Sequence, residues 1–287
     1  MTFTTVIDTA LLAERLADMS LAVVDCRYDL GDHEWGLTAY RASHIPGAVY
    51  AHLARDLAGD KTGRNGRHPL PKPADLARTL SRLGIAREHQ VVAYDQADGS
   101  FASRLWWLLR WIGHDAVAVL DGGFAKWVAE HRPTAAGSES RASTTFAGSE
   151  RAAMAIGAAD VQMARARWHL VDARSPERYR GDVEPLDRVA GHIPGALNRH
   201  YKANLGPTGT FKSRDELRRE LDAVVGSAPI DRVVCYCGSG VTACHNLLAL
   251  EHAGLRGAKL YPGSWSEWAS DEARPIETGG GSSTGES

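Results

Sequence analysis

Four cysteines, Cys26, Cys235, Cys237 and Cys244, are the side chains in this chain best suited to nucleophilic chemistry. Cys237 differs from the others in its surroundings. An apolar run, Val233–Tyr236, leads into it. Gly238 and Gly240 then bracket Ser239, and a helical pattern starts at Thr242 or Ala243 and runs to about His252. That order predicts a strand, a tight loop and a helix. In open parallel sheets ligands sit beyond the carboxyl ends of strands. The two glycines allow backbone angles that other residues avoid. Successive N–H groups in such a turn form an anion-binding nest, and the helix N-terminus adds positive potential. A cysteine at the first position feels both influences, which favours its thiolate. The other three thiols read as core filler, two on strands and one in the helix. Cys235 and Cys237 form a C-x-C, not a C-x-x-C, and no metal site is predicted.

The elements that would hold this loop occur twice. Residues 22–50 and 169–197 each carry an apolar run ending in Val-Asp, a polar loop and His-Ile-Pro-Gly-Ala. Residues 91–127 and 233–268 each carry a strand, a turn, a helix stopped by Gly113 or Gly254, another strand and a G-x-[aromatic]-x-x-W ending. A repeat unit this long means two similar domains. Asp95 stands in the first half where Cys237 stands in the second. A thiol on only one of two like scaffolds predicts one active and one supporting domain.

Short, continuous, Val- and Leu-rich runs at 21–25, 91–94, 116–120, 168–172, 233–236 and 259–261 suit buried parallel strands. Helical patterns lie between them. One has Ser213 three residues before Glu216 and Gly226 at its end. Another has Pro73 near its start and Gly84 at its stop. The alternation predicts α/β domains, each a mostly parallel sheet flanked by helices. Predicted bounds are an N-terminal domain 1–135, an Ala-, Ser-, Gly- and Thr-rich linker 136–156, a second domain 157–278 and a flexible tail 279–287.

The formal charge of −2 and the lack of a long basic run argue against nucleic acid as a partner. Acidic residues Asp8, Glu14 and Asp18 interrupt the N-terminus, and no apolar stretch has the length of a membrane span. A cytoplasmic protein with no membrane partner is expected.

The duplicated unit, the two His-Ile-Pro-Gly-Ala segments, the paired G-x-[aromatic]-x-x-W endings and the cysteine loop together resemble a two-domain rhodanese-family sulfurtransferase, over about residues 5–276. The resemblance implies two tandem rhodanese-like domains, the N-terminal one inactive. It implies that Cys237 carries sulfur as a persulfide, with no cofactor. The donor would be a small molecule, and the acceptor a thiol such as thioredoxin, or cyanide. The loop C-G-S-G-V-T, residues 237–242, is similar to that of the 3-mercaptopyruvate enzymes of the family. Thiosulfate enzymes usually have basic residues inside the loop. The backbone of Gly238, Gly240, Val241 and Thr242 would then line the sulfur site, with Thr242 capping the helix. Arg178, in R-[aromatic]-x-G, matches the family's first substrate arginine, and Arg188 stands for the second. Ser239 and His44 would be catalytic, the histidine supported by Asp29 or Asp32. His44 and His192 occur in both repeats, which also admits a structural role beside Pro46 and Pro194.

The uncharged loop has a physical reading. Thiosulfate is a dianion, and a lysine or arginine in the loop would offset its charge. A monoanionic thiol–keto acid, held by arginines elsewhere, fits Gly238 and Ser239 better, leaving thiosulfate as a weaker second donor. Two further readings stand beside this one. A non-enzymatic persulfide carrier or sensor would take sulfur without turning over small donors. A phosphatase would need arginine six residues after Cys237, where Ala243 stands.

Overall fold

The computed structural model describes residues 2–280. Residues 281–287, most of the expected tail, lie outside the described residues. The chain forms two compact units, and neither is contiguous in sequence. The first takes the chain up to Gly59, with Leu70–Ala152 and Leu205–Phe211; the second takes Asp60–Pro69, Ala153–Asn204 and the chain from Lys212 onward.

The first unit has strands β1 (Val6–Ile7), β2 (Leu21–Asp25), β3 (Val49–Tyr50), β4 (Gln90–Tyr94) and β5 (Val117–Leu120). They form one parallel sheet in the order β1-β5-β4-β2-β3. Helices α1 (Thr9–Glu14), α2 (Trp35–Ala42), α3 (Leu53–Asp56), α4 (Pro73–Arg82), α5 (Ala102–Trp111) and α6 (Gly123–Ala129) connect and cover it. Every residue of β2 and β4 is buried, as a sheet covered on both faces requires. Leu12, Val23, Val92, Tyr94, Leu120 and Trp127 form its core.

The second unit repeats the plan with β6 (His169–Asp172), β7 (Leu197–Asn198), β8 (Val233–Tyr236) and β9 (Lys259–Leu260), again parallel, in the order β7-β6-β8-β9. At the edge matching β1, a single parallel bridge joins Ala155 to Leu260. Its helices are α7 (Ala158–Met163), α8 (Pro176–Arg180), α9 (Arg214–Val225), α10 (Ala243–His252) and α11 (Ser264–Trp268). The core gathers Leu170, Val234, Tyr236, Tyr261, Trp265 and Trp268. Residues Ala243–Leu250 of α10 are all buried, His245 and Asn246 among them, and the helix seats Cys244 as a core thiol.

The local signals read from the sequence act as physical chemistry requires. Ser213 Oγ accepts from the Glu216 N–H at the start of α9, and Gly226 ends it with a φ of 59°. Pro73 opens α4, and Gly84 follows it with a φ of 69°. The stretch 136–156 behaves differently from a free linker. Arg141 Nη1 donates to Leu21 O at 2.9 Å, Phe146 is buried, and both Arg151 Nη atoms meet Asp115 at 2.7 Å. These anchors are single side chains and leave no apolar period in the sequence.

Candidate active site

Cys237 follows β8 directly and is 2% exposed. Its Sγ accepts a hydrogen bond from the Gly240 N–H at 3.2 Å. Gly240 has a φ of 74°, and a Cβ there would lie 2.3 Å from Pro262 O. Only glycine fits both the angle and the space. Val241 is buried behind the loop. Thr242 occupies the position before α10, but its side chain makes no capping bond. Its backbone is already helical (φ −70°, ψ −16°), whereas a capping side chain reaches the first-turn N–H groups from an extended backbone. The expected cap is therefore absent.

The matching loop of the first unit shows what this turn can hold. Asp95 ends β4 and its carboxylate accepts from the N–H groups of Ala97, Gly99, Phe101 and Ala102 at 2.8–3.2 Å. Burial pushes the Asp95 carboxyl up to about 6, Asp98 adding to the rise while the N–H groups oppose it. One repeat thus satisfies its nest with its own carboxylate. The other places a sulfur there. Burial raises the Cys26 and Cys235 thiols, which suits their place in the core.

A second serine, unnoticed in the sequence, fixes the cysteine. Ser264 Oγ accepts from the Cys237 N–H at 3.1 Å and donates to Tyr261 O at 2.9 Å. Ser264 has a φ of 54°, whereas Gly123 occupies the corresponding place in the first unit at 57°. A serine in the left-handed region costs about 1 kcal/mol, and such strain gathers at functional sites. Ser264→Ala keeps the strained backbone and strips the Cys237 N–H of this acceptor. It should lower stability by about 1–3 kcal/mol, read as a fall in the urea midpoint at constant slope. Ser264→Gly loses the same bond but relieves the backbone, so its midpoint should fall less.

Ser239 is 7% exposed, and its Oγ lies 2.9 Å from His68 Nδ1. His68 is 4% exposed and comes from the segment Asp60–Pro69 of this same unit. Arg67 sits beside it. A Cβ on Gly238 would lie 2.7 Å from Arg67 Nη2 and 3.4 Å from Arg178 Nη2, so two guanidiniums stand over the loop. The segment is seated by tertiary contacts: the Arg67 N–H donates to Ser266 Oγ at 3.0 Å, and Gly66 packs so closely that a Cβ would lie 2.7 Å from Gly263 O.

Arg178, in the last turn of α8, is bound by Glu184 at 2.6 Å and by Asp187 at 3.5 Å. Arg188 does not join it. Its side chain is 65% exposed and pairs with Glu272 at 2.8 Å. Arg188 directs its side chain to the surface, and the second guanidinium over the loop is Arg67. Arg180 is also a surface group, paired with Asp182.

His44 is engaged within its own unit. It is buried in the first unit with Nδ1 on Tyr40 O at 2.8 Å and its ring stacked on Tyr40. His192 repeats this in the second unit, with Nδ1 on Tyr179 O at 2.7 Å and its ring on Tyr179. Both occupy the same structural niche, so the histidine against Ser239 is His68. Asp29 and Asp32 accept from backbone N–H groups of their own turn. Asp25 and Asp172 each hold the arginine two residues on through Nε and Nη2. Sequence reasoning missed Arg67, His68 and Ser264. The signal for the first two was the basic pair itself, Arg67-His68, in a polar loop punctuated by Gly63 and Gly66.

The family model for the rhodanese-like domain matches residues 8–130 and 157–271. A Pseudomonas aeruginosa relative bearing a 3-mercaptopyruvate sulfurtransferase name is 47% identical over 93% of this chain and 96% of its own. A Mycobacterium tuberculosis relative bearing a thiosulfate sulfurtransferase name is 38% identical over 90% of this chain and 91% of its own. The structure of a 3-mercaptopyruvate sulfurtransferase from Leishmania major superposes with a TM-score of 0.82 at 31% identity, covering 92% of this chain and 74% of the other.

Proposed function

This chain belongs to the rhodanese-like family of sulfurtransferases, and we propose that within it the protein takes its sulfur from 3-mercaptopyruvate. The observation that carries this reading is an uncharged cysteine loop with two guanidiniums, Arg67 and Arg178, standing over Gly238. A planar guanidinium fork suits a carboxylate. The cations lie outside the loop, so the donor's charged end is held away from the sulfur that Cys237 must reach.

The Cys237 thiolate attacks the donor sulfur. A sulfur–sulfur bond forms and the carbon–sulfur bond breaks, its electron pair leaving on carbon as the enolate of pyruvate. Arg67 and Arg178 hold the carboxylate and stabilise the charge that develops beside it. The proton that reaches the enolate carbon passes along Ser239 and His68, which are already within hydrogen-bond distance. The Gly240 N–H meets sulfur at Cys237 before and after transfer. A second thiolate, such as reduced thioredoxin, or cyanide, then attacks the outer sulfur and Cys237 leaves as thiolate. The kinetics are double displacement. The N-terminal unit, its nest filled by Asp95, is inactive. Among the described residues no helix is long and apolar enough to cross a membrane. The cytoplasm, where thiols are kept reduced, suits the acceptor step.

Thiosulfate is the second reading, as a weaker donor to the same cysteine, and the name of the Mycobacterium tuberculosis relative supports keeping it. The test compares kcat/KM for the two donors, with mass spectrometry of Cys237 after donor alone. Mercaptopyruvate should lead by about tenfold or more, a discrimination that one unit of donor charge can supply. Cys237 should gain the mass of one sulfur atom. A preference for thiosulfate, or no pyruvate released, would overturn the assignment. Persulfide formation without steady-state turnover would make the protein a carrier.

A further inference from the structure

We propose that Asp187 sets the charge selectivity of the donor site, balancing Arg67 and Arg178 so that a monoanion is accepted and a dianion is disfavoured. The proposal rests on the donor reading above and extends it to the residue that enforces it. Asp187 stands between the two guanidiniums. One carboxylate oxygen pairs with Arg67 Nη1, and the other lies 3.5 Å from Arg178 Nη2. Its side chain is 7% exposed, so water screens this charge poorly. Its position is fixed locally, because the Asp187 N–H donates to Glu184 Oε1 at 3.2 Å.

The charges near Gly238 can be summed from these contacts. Arg67 and Arg178 bring two positive charges. Asp187 brings one negative charge and Glu184, paired with Arg178, brings another. Arg174 is also close to Glu184, but its own strand-end partner, Asp172, neutralises it at 2.7 Å. The four groups around the loop therefore cancel. The guanidiniums keep their directional N–H groups for a carboxylate, while the site lacks the surplus positive charge that would repay the larger desolvation of a dianion. Glu184 is less suited to the selective role. It is 3% exposed and touches Arg174 as well, so removing it would leave a buried cation short of a partner.

Removing the charge at Asp187 leaves one net positive charge at the mouth of the loop. A dianion then gains about twice the Coulombic attraction of a monoanion at the same place. The test uses the full chain as wild type, Asp187→Asn and Asp187→Glu. The kcat/KM ratio of thiosulfate to 3-mercaptopyruvate should rise about tenfold in Asp187→Asn and stay near the wild-type value in Asp187→Glu. Added salt should shrink the difference. Binding of sulfate and of pyruvate, measured by calorimetry, gives a readout independent of turnover. Sulfate should gain on pyruvate in Asp187→Asn. An unchanged ratio in both measurements, or an equal loss for both donors, would overturn the proposal. If wild type releases no pyruvate from mercaptopyruvate, the donor reading falls, and the sulfate–pyruvate comparison still decides the role of Asp187.

Discussion

Cys237→Ser should abolish sulfur transfer, with pyruvate release from 3-mercaptopyruvate falling by more than about 10⁴-fold, the scale on which removal of a covalent nucleophile acts. The change is small in volume, and the fold has no reason to resist it. The Cys237 N–H keeps Ser264 Oγ, and the Gly240 N–H keeps an acceptor in the serine oxygen. The urea midpoint should therefore move little. What disappears is chemical. A serine oxygen is neither ionised at neutral pH nor able to carry a sulfane sulfur that a second thiol can remove. Cys26→Ala supplies the control, since that thiol is buried on the other unit's strand end and burial holds it protonated. It should cost stability through lost packing and leave turnover intact. The measurement is continuous pyruvate release together with the mass of the protein after donor alone. Full pyruvate production by Cys237→Ser would remove the cysteine from the mechanism.

The reach of sequence reasoning here follows from where each contact is made. Cys237 was legible because its meaning is local: strand, two glycines and helix lie within a dozen residues, and each piece carries its own signal. The fold was legible because the chain states it twice. The strands at Leu21–Asp25 and Val233–Tyr236 form at the positions their apolar runs predict. Asp95 was legible by difference, and its carboxylate does fill the turn that the second repeat leaves for sulfur. Arg67 and His68 were not legible, because nothing local places them. Their segment has no apolar period and no counterpart in the repeated motifs. Its position depends on Gly66 meeting Gly263 and on one bond to Ser266, residues about two hundred positions away. Ser264 was hidden for another reason: a serine at positive φ looks like any serine until its backbone is seen.

The histidines separate a repeated structural device from a contact made once, at the cysteine loop. A motif present in both halves cannot by itself explain chemistry proposed for only one half. His44 and His192 share a buried ring, a bond to a tyrosine carbonyl and a stacked tyrosine, and that shared niche accounts for both. His68 has no such twin, and it touches Ser239 two residues after Cys237. Two variants should therefore fail in different ways. His44→Ala opens a cavity against Tyr40 and removes a buried hydrogen bond, a loss of about 2–4 kcal/mol, which lowers Tm by several degrees. Its kcat, measured below that melting point, should stay within about twofold of wild type, since no transition-state contact is lost. His68→Ala should lower kcat for mercaptopyruvate by about 10²–10³-fold, the usual worth of a positioned proton-transfer group. Its Tm should fall too, since the ring is 4% exposed, so kcat and not Tm separates the two variants. Chemical rescue distinguishes relay from scaffold: added imidazole should restore part of kcat in His68→Ala and leave His44→Ala unchanged. The reverse pattern would return the catalytic role to His44 and leave His68 as a clasp on the cysteine loop.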